Sequence, residues 1–122
     1  MAKDCLIFLA HGSPRPQWKK PLEELVAEIR TQLTSQSCAI AYLQTDTPTL
    51  EDVIKARYDE GYRRFKILPL FLSDGNHIVK GMEQRLAVLK HELQNCIFTT
   101  LPPLVRQPLF RKLILDLARE HM

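Results

Sequence analysis

Two segments decide the fold of this chain: CLIFLAHGSPRP at positions 5–16 and FKILPLFLSDGNH at positions 65–77. In each segment a short apolar run leads into polar turn residues that include a histidine, His11 in the first and His77 in the second. Short apolar runs bounded by turn residues are typical of buried strands in a parallel sheet. If the two strands are neighbours, both imidazoles lie at the carboxyl edge, where open α/β sheets bind ligands.

The rest of the chain alternates strand-like runs with helical periods, the pattern of βαβ units around a parallel sheet. We predict strands over residues 5–10, 38–43, 65–72 and 96–100. Apolar residues at helical spacing predict four helices, which begin at Pro21, after the capping pair Thr49 and Asp52, after His77, and near Leu109. Gly61 is expected to end the second helix in a left-handed conformation.

The predicted fold class is a three-layer α/β fold with a four-stranded parallel sheet. Right-handed crossovers restrict how the chain can wind, and we favour the strand order 2-1-3-4 because it puts helices on both faces of the sheet. The third strand is apolar at both alternating sets of positions, so we expect it to be buried on both faces, with a bulge or break at Pro69. In this order the winding reverses between strands one and three, so His11 and His77 flank the resulting crevice.

The composition indicates one ordinary globular domain over residues 1–122, with 45% hydrophobic and 25% charged residues. A formal net charge of +3, spread along the chain, does not indicate nucleic-acid binding. No apolar stretch is long enough for a membrane span, and the first residues lack a signal-peptide pattern, so we expect a cytoplasmic protein without membrane attachment. Cys5, Cys38 and Cys96 are far apart and resemble small apolar core residues rather than metal ligands.

Three motifs occur in order along the chain: HGSPRP at 11–16, YLQTDTPTLEDVI at 42–54 and GYRRFKILPLFLSDGNH at 61–77. This combination resembles the small sirohydrochlorin chelatases of the CbiX type, which are relatives of the ferrochelatases. The resemblance implies insertion of cobalt, iron or nickel, as a substrate, into a tetrapyrrole such as sirohydrochlorin, with no permanently bound cofactor. It also implies that His11 and His77 bind the metal and transfer protons.

The chemistry of imidazole fits this role, because a neutral nitrogen ligand can hold a divalent ion reversibly and can also accept a proton near neutral pH. Basic side chains near the histidines could orient the substrate carboxylates. The candidate substrate-binding residues are Ser13, Arg15, Gln44, Gly75 and Lys80. Any of the charged ones could equally be a solvated surface group.

The chain departs from the family pattern at two positions. Many members have a glutamate where this chain has Gln44, and an aspartate where it has Gly81. An amide adds no charge to a metal ion and cannot take a proton at neutral pH, so the site has less carboxylate character. A tetrapyrrole- or metal-binding module without turnover, or a partner of an active half-chelatase, is therefore an alternative.

A large macrocycle needs a cleft with two walls, and this chain shows no internal repeat, so it supplies one half. The resemblance therefore implies a homodimer. A third reading, a phosphate-handling hydrolase with His11 as nucleophile, is weaker because no glycine-rich phosphate cradle accompanies the HGS motif.

Overall fold

A computed structural model describes residues 3–33, 37–72 and 75–122. It contains one sheet of four parallel strands: β1 (Lys3–Ala10), β2 (Cys38–Tyr42), β3 (Tyr62–Pro69) and β4 (Ile97–Thr100). The strand order is β2-β1-β3-β4, and all three pairings are parallel. The predicted fold class and strand order are both confirmed, and β1 and β3 are neighbours at the centre of the sheet.

Four α-helices connect and follow the strands: α1 (Pro16–Gln32), α2 (Leu50–Asp59), α3 (Asn76–Glu92) and α4 (Pro108–Glu120). A short 3-10 turn, η1 (Leu104–Arg106), precedes α4. The predicted capping pair is confirmed, because Thr49 and Asp52 exchange side-chain to backbone hydrogen bonds. Gly61 follows α2 with a φ of 101°, as predicted. None of the helices in the described part of the chain is long and apolar enough to cross a membrane.

The first helix begins five residues earlier than predicted. Pro16 and Pro21 can both start a helix, because proline is favoured in the first turn, where its missing N–H has no helical partner. The helix starts at Pro16, and Pro21 lies inside it. The apolar spacing that begins at Pro21 therefore marked only the part of the helix that faces the sheet.

The helices cover the two faces of the sheet unequally. One face packs its apolar side chains against α2 and α3 in the larger core, and the members of this core include Ile7, Phe65, Ile54 and Met82. The opposite face packs against α1 in a smaller cluster around Phe8, Val26 and Cys38. No residue of α4 is buried. The layering that positions the site is thus provided by α1, α2 and α3.

Strand β3 differs from the sequence prediction in position and burial. It covers Tyr62–Pro69 rather than residues 65–72, and its side chains alternate between buried and more exposed. The expected burial on both faces is wrong, because Arg64 and Lys66 occupy the second face. The expected interruption at Pro69 takes the form of a break, because β3 ends at this residue. The register shift in this pairing lies between Lys3 and Asp4 of β1.

The three cysteines are buried and free, as their apolar setting predicted. Burial raises the pKa of the Cys5 thiol to about 11, against the opposing influence of the nearby Arg57 charge. The Cys5 thiol is therefore kept protonated, and the three cysteines act as small apolar groups in the core.

Candidate functional site

The carboxyl ends of β1 and β3 lie side by side. The amide of Leu70 donates to the carbonyl of Leu9 at 2.8 Å, which extends the pairing to the last residues of both strands. His11 follows β1 directly and is exposed. Its ring contacts the ring of Phe71, with centroids 4.6 Å apart and planes tilted by 43°. Because Phe71 is buried, this contact places one side of the imidazole against an apolar support, while His11 as a whole remains exposed.

The turn after His11 is shaped by Gly12. Its φ of 97° lies in the left-handed region that side chains disfavour. A Cβ at this position would also overlap the carbonyl oxygen of Gln44. This close approach is matched by a hydrogen bond from the amide of Gln44 to the carbonyl of His11, at 3.1 Å. The HGS sequence thus needs its glycine so that the turns after β1 and β2 can pack together.

Asp46 clamps the same turn from the β2 side. Its Oδ2 accepts a hydrogen bond from the amide of Ser13 at 2.5 Å, and its Oδ1 lies 3.1 Å from the ammonium of Lys19 on α1. The Ser13 hydrogen bond, followed by the Lys19 interaction, lowers the pKa of the Asp46 carboxyl. The carboxylate therefore ties three segments together around His11.

An open cavity of about 310 Å³ lies beside His11. The lining residues come from the turn after β2 and from one face of α3: Leu43, Gln44, Ile78, Gly81, Met82 and Arg85, together with His11. The cavity is therefore at the carboxyl edge of the sheet. Here the chain leaves β1 toward α1 on one face of the sheet and leaves β3 toward α3 on the other face. Such a switch point is the usual ligand site of an open α/β sheet.

Arg85 forms the far side of this cavity. Its guanidinium donates two hydrogen bonds to the carboxylate of Glu51, at 2.6 and 2.5 Å, and a third to the carbonyl of Leu43 at 2.7 Å. The hydrogen bonds from Arg85 lower the pKa of Glu51 and keep this carboxyl ionised. Arg85 is thus neutralised by its partner, and it fixes the backbone directly before Gln44.

The other predicted site residues lie around the cavity at different distances from it. Ser13 lines a neighbouring cavity of about 170 Å³ on the other side of His11. Arg15 is the N-cap of α1 and Gly75 is the N-cap of α3; both are exposed, as is Lys80 on α3. Arg15, Gly75 and Lys80 are outside the lining of the cavity beside His11.

His77 is the second residue of α3, so its backbone follows β3 as expected. Its side chain lies outside the described part of the structure, as do Ser73 and Asp74 of the preceding turn. The pairing of the two imidazoles therefore remains a prediction.

Sequence reasoning missed Phe71, Asp46 and Arg85. Arg85 was detectable, because Ile78, Gly81 and Arg85 recur at helical spacing after His77 and must share one face of the helix. Phe71 and Asp46 gave no such signal, since each acts through contacts with another strand end.

The fold and the cavity define a class of protein: a parallel α/β domain with an exposed imidazole at its switch point. Among the side chains that the structure describes, no three histidine, cysteine, aspartate or glutamate residues gather into a metal-binding group. The described residues alone therefore form no fully liganded, resident metal centre.

The CbiX family model matches residues 5–121, and the chain belongs to this family. The sirohydrochlorin cobaltochelatase of Methanococcus aeolicus is 27% identical over 89 residues, which are 73% of this chain and 62% of that protein. The sirohydrochlorin cobaltochelatase of Methanocaldococcus jannaschii is 23% identical over 87 residues, 71% of this chain and 61% of that protein. The matches thus span about three fifths of the length of these relatives.

Solved structures share the architecture. A CbiX protein from Marinobacter aquaeolei superposes with a TM-score of 0.85 and 26% identity, covering 97% of this chain and 93% of that one. The sirohydrochlorin chelatase SirB from Bacillus subtilis, solved in complex with cobalt, gives a TM-score of 0.68 at 17% identity. That match covers 84% of this chain but 44% of SirB, so this chain corresponds in fold to about half of SirB.

Proposed function

We propose that this chain is a sirohydrochlorin chelatase that inserts a divalent metal ion, cobalt first among cobalt, iron and nickel, into a tetrapyrrole. The observation that carries the proposal is the position of His11, exposed beside an open cavity at the sheet switch point. The match to the CbiX family over residues 5–121 supports it, as do relatives that are sirohydrochlorin cobaltochelatases. The product would enter cobalamin or sirohaem biosynthesis.

The reaction exchanges two pyrrole protons for one divalent ion, so the ring nitrogens form bonds to the metal as the N–H bonds break. In the proposal, neutral imidazoles of His11 and His77 would hold the ion, and each imidazole nitrogen that releases it would then accept one of the two pyrrole protons. The contact with Phe71 orients the His11 ring, and the clamp of Asp46 on Ser13 fixes its backbone. No carboxylate has to accept a proton during metal insertion.

The substrate is rich in peripheral carboxylates, which need cationic or N–H partners. Arg15 and Lys80 are exposed near the ends of α1 and α3 and are proposed to contact these groups. Backbone amides near Ser13 and Gly75 are further candidates. Arg85 is assigned a structural part instead, because its guanidinium is already bonded to Glu51 and Leu43.

The proposed assembly is a homodimer. A cavity of about 310 Å³ is at the lower end of small-ligand sites, and it is open rather than enclosed. A tetrapyrrole needs a second wall, and a second copy of the chain would supply one. The buried free cysteines suit a reducing compartment, so the proposal places the reaction in the cytoplasm.

Gln44 lines the cavity together with His11, so it is the position at which a carboxylate would act on the metal. We expect Gln44→Glu to bind Co²⁺ more tightly and to insert it faster, because a carboxylate adds charge near the ion and raises imidazole basicity. Single-turnover insertion of Co²⁺ and Ni²⁺ at neutral pH measures the effect. Gln44→Asn, which keeps an amide, is the control, and equal rates for the wild type and Gln44→Glu would remove this role of Gln44.

The proposal is tested by anaerobic incubation of the protein with sirohydrochlorin and each of Co²⁺, Ni²⁺ and Fe²⁺, followed by the absorption spectrum. We expect a rate well above that of the uncatalysed reaction, lost in His11→Ala and His77→Ala. His91→Ala is a matched control, because His91 is exposed in the last turn of α3. Absence of turnover with retained tetrapyrrole binding would favour the non-catalytic binding module. That alternative is based on Gln44 and Gly81, which stand where many family members have carboxylates.

A further inference from the structure

Trp18 is the only tryptophan of the chain, and its side chain lies on the surface with 68% of its area exposed. An indole is one of the largest apolar surfaces that a side chain can offer, and it packs well against other flat aromatic groups. Single exposed apolar residues are common on proteins, so exposure by itself assigns no role. What distinguishes Trp18 is its position beside His11.

Trp18 and His11 line the same cavity. This cavity of about 170 Å³ is bordered by the end of β1, the first turns of α1 and the end of β2. His11 also lines the cavity of about 310 Å³ on the α3 side. The imidazole therefore stands between two cavities, one bordered by α1 and the other by α3.

The backbone between His11 and Trp18 is held by a chain of hydrogen bonds. Asp46 accepts one from the amide of Ser13, whose Oγ in turn accepts one from the amide of Arg15 at 3.1 Å. The amide of Trp18 donates to the carbonyl of Arg15, also at 3.1 Å, in the first turn of α1. The clamp that fixes the turn after β1 therefore also fixes the place from which the indole projects.

Two polar side chains that line the cavity on the α1 side already have partners within the chain. The ammonium of Lys19 lies 3.1 Å from Oδ1 of Asp46, and the hydroxyl of Tyr42 donates to the carboxylate of Glu23 at 3.3 Å. The large exposed surface that this side offers to a ligand is therefore the indole of Trp18. A flat apolar surface suits the face of a conjugated ring better than it suits a carboxylate.

We propose that the indole of Trp18 packs against the face of the tetrapyrrole macrocycle, as a substrate-binding residue of the chelatase. The inference rests on the proposed function, in which His11 holds the ion that enters the centre of the macrocycle. Four pyrrole rings surround that centre, so a macrocycle centred at His11 extends over both cavities that flank the imidazole. Trp18 meets the macrocycle on the α1 side and from the same face as His11.

This assignment separates two kinds of substrate contact. Arg15 and Lys80 are proposed to bind peripheral carboxylates, whereas Trp18 binds the macrocycle itself. The macrocycle is present both before and during metal insertion, so the contact stabilises the bound substrate and the transition state alike. Loss of such a contact raises KM and leaves kcat nearly unchanged.

The contact is tested by NMR of the wild-type protein during anaerobic titration with metal-free sirohydrochlorin. The single tryptophan gives one set of indole resonances. Protons above the face of a conjugated macrocycle are shielded by its ring current, and this shielding falls steeply with distance. We expect the indole resonances to move upfield as the absorption spectrum reports binding. Indole resonances that stay in place while sirohydrochlorin binds would overturn the inference.

Kinetics of two Trp18 variants give the second test. We expect Trp18→Ala to raise KM for sirohydrochlorin about tenfold with kcat within about twofold of the wild type. Trp18→Phe keeps an aromatic ring and should recover most of this loss. Leu25→Ala is the matched control, because Leu25 is 49% exposed and lies about 10 Å further along the same side of α1. Both residues are exposed, so circular dichroism of the variants should match that of the wild type.

The outcomes separate this inference from the proposed function. Equal KM values for the wild type and Trp18→Ala would overturn the inference, and so would an equal rise in KM for Leu25→Ala. In both cases turnover by the wild type would leave the proposed function standing. A wild-type protein that neither binds nor converts sirohydrochlorin would overturn the proposed function and this inference with it.

Discussion

The turn that carries His11 and the helix start that carries His77 differ in the contacts described around them. The turn after β1 is fixed from several sides: Gly12 is left-handed, Gln44 bonds the carbonyl of His11, and Asp46 bonds the amide of Ser13. At the start of α3, Gly75 has a φ of −56°, and nothing lies within 4 Å of an added Cβ. The hydrogen bonds described at Gly75 are those of the first helical turn itself.

This difference shows where the precision of the site originates. The position of His11 depends on contacts from β2, α1 and β3, whereas the contacts described beside His77 are those of the start of α3. Substitutions around the first turn should therefore affect stability and metal binding together. Substitutions around the second should have smaller effects on stability.

The largest contrast is expected between two glycine variants. Gly12→Ala introduces a side chain at a left-handed φ and against the Gln44 carbonyl, so we expect a loss of about 2–4 kcal/mol in the free energy of unfolding. Gly75→Ala meets open space at an ordinary φ and should change stability by about 0.5 kcal/mol or less. Urea unfolding of both variants measures this, and equal stabilities would contradict the contrast between the turns.

Loss of the Arg85 hydrogen bonds, which hold the backbone next to Gln44, should give the next largest effect on the free energy of unfolding. Arg85→Met removes three hydrogen bonds and leaves Glu51 and the Leu43 carbonyl without this partner, at a cost of about 1–3 kcal/mol. The exposed Lys80→Met on the same helix is the control. Since the pKa of Glu51 is lowered in the folded protein, its contribution is present above the ordinary glutamate value and lost as the pH falls through the folded pKa. The difference between wild type and Arg85→Met should shrink in acid; a constant difference would show that the ion pair is not its source.

Asp46 offers a finer test of the clamp on the first turn. Asp46→Asn can still accept the hydrogen bond from Ser13 but loses the charge that faces Lys19, while Asp46→Ala loses both. We expect Asp46→Ala to lower the urea midpoint more than Asp46→Asn does. The lowered pKa of Asp46 means that its contribution holds above the ordinary aspartate value of 3.8 and fades as the pH falls through the folded pKa. Identical midpoints for the two variants would assign the effect to the Lys19 pair alone.

The sequence predicted most of the fold because the fold depends on local patterns. The preferred strand order, which puts helices on both faces, and the capping pair Thr49 and Asp52 are both confirmed in the structure. The errors have two causes. In one case two prolines could each begin the same helix, and in the other the burial of a strand depends on whether a helix far away in the sequence packs over it. Pro16 rather than Pro21 begins α1, and Lys66 lies on a face that α4 leaves bare.

The site was less predictable than the fold. His11 was found because a histidine at the end of a buried strand stands out in the sequence. Phe71 and Asp46 were missed because their importance comes from contacts across strand ends, which no spacing along the chain encodes. The exposure of α4 was likewise unpredictable, since the apolar spacing of a helix does not show whether another element covers it.

The most direct test of the central claim is a calorimetric titration of Co²⁺ into the wild-type protein, His11→Ala, His77→Ala and the His91→Ala control. We predict one site that both His11→Ala and His77→Ala abolish or weaken at least about tenfold, and that His91→Ala leaves unchanged. Binding by the wild type should weaken in acid, because protonated imidazole cannot bind a metal. Unchanged Co²⁺ affinity in both His11→Ala and His77→Ala would contradict a shared metal site at the carboxyl edge of the sheet.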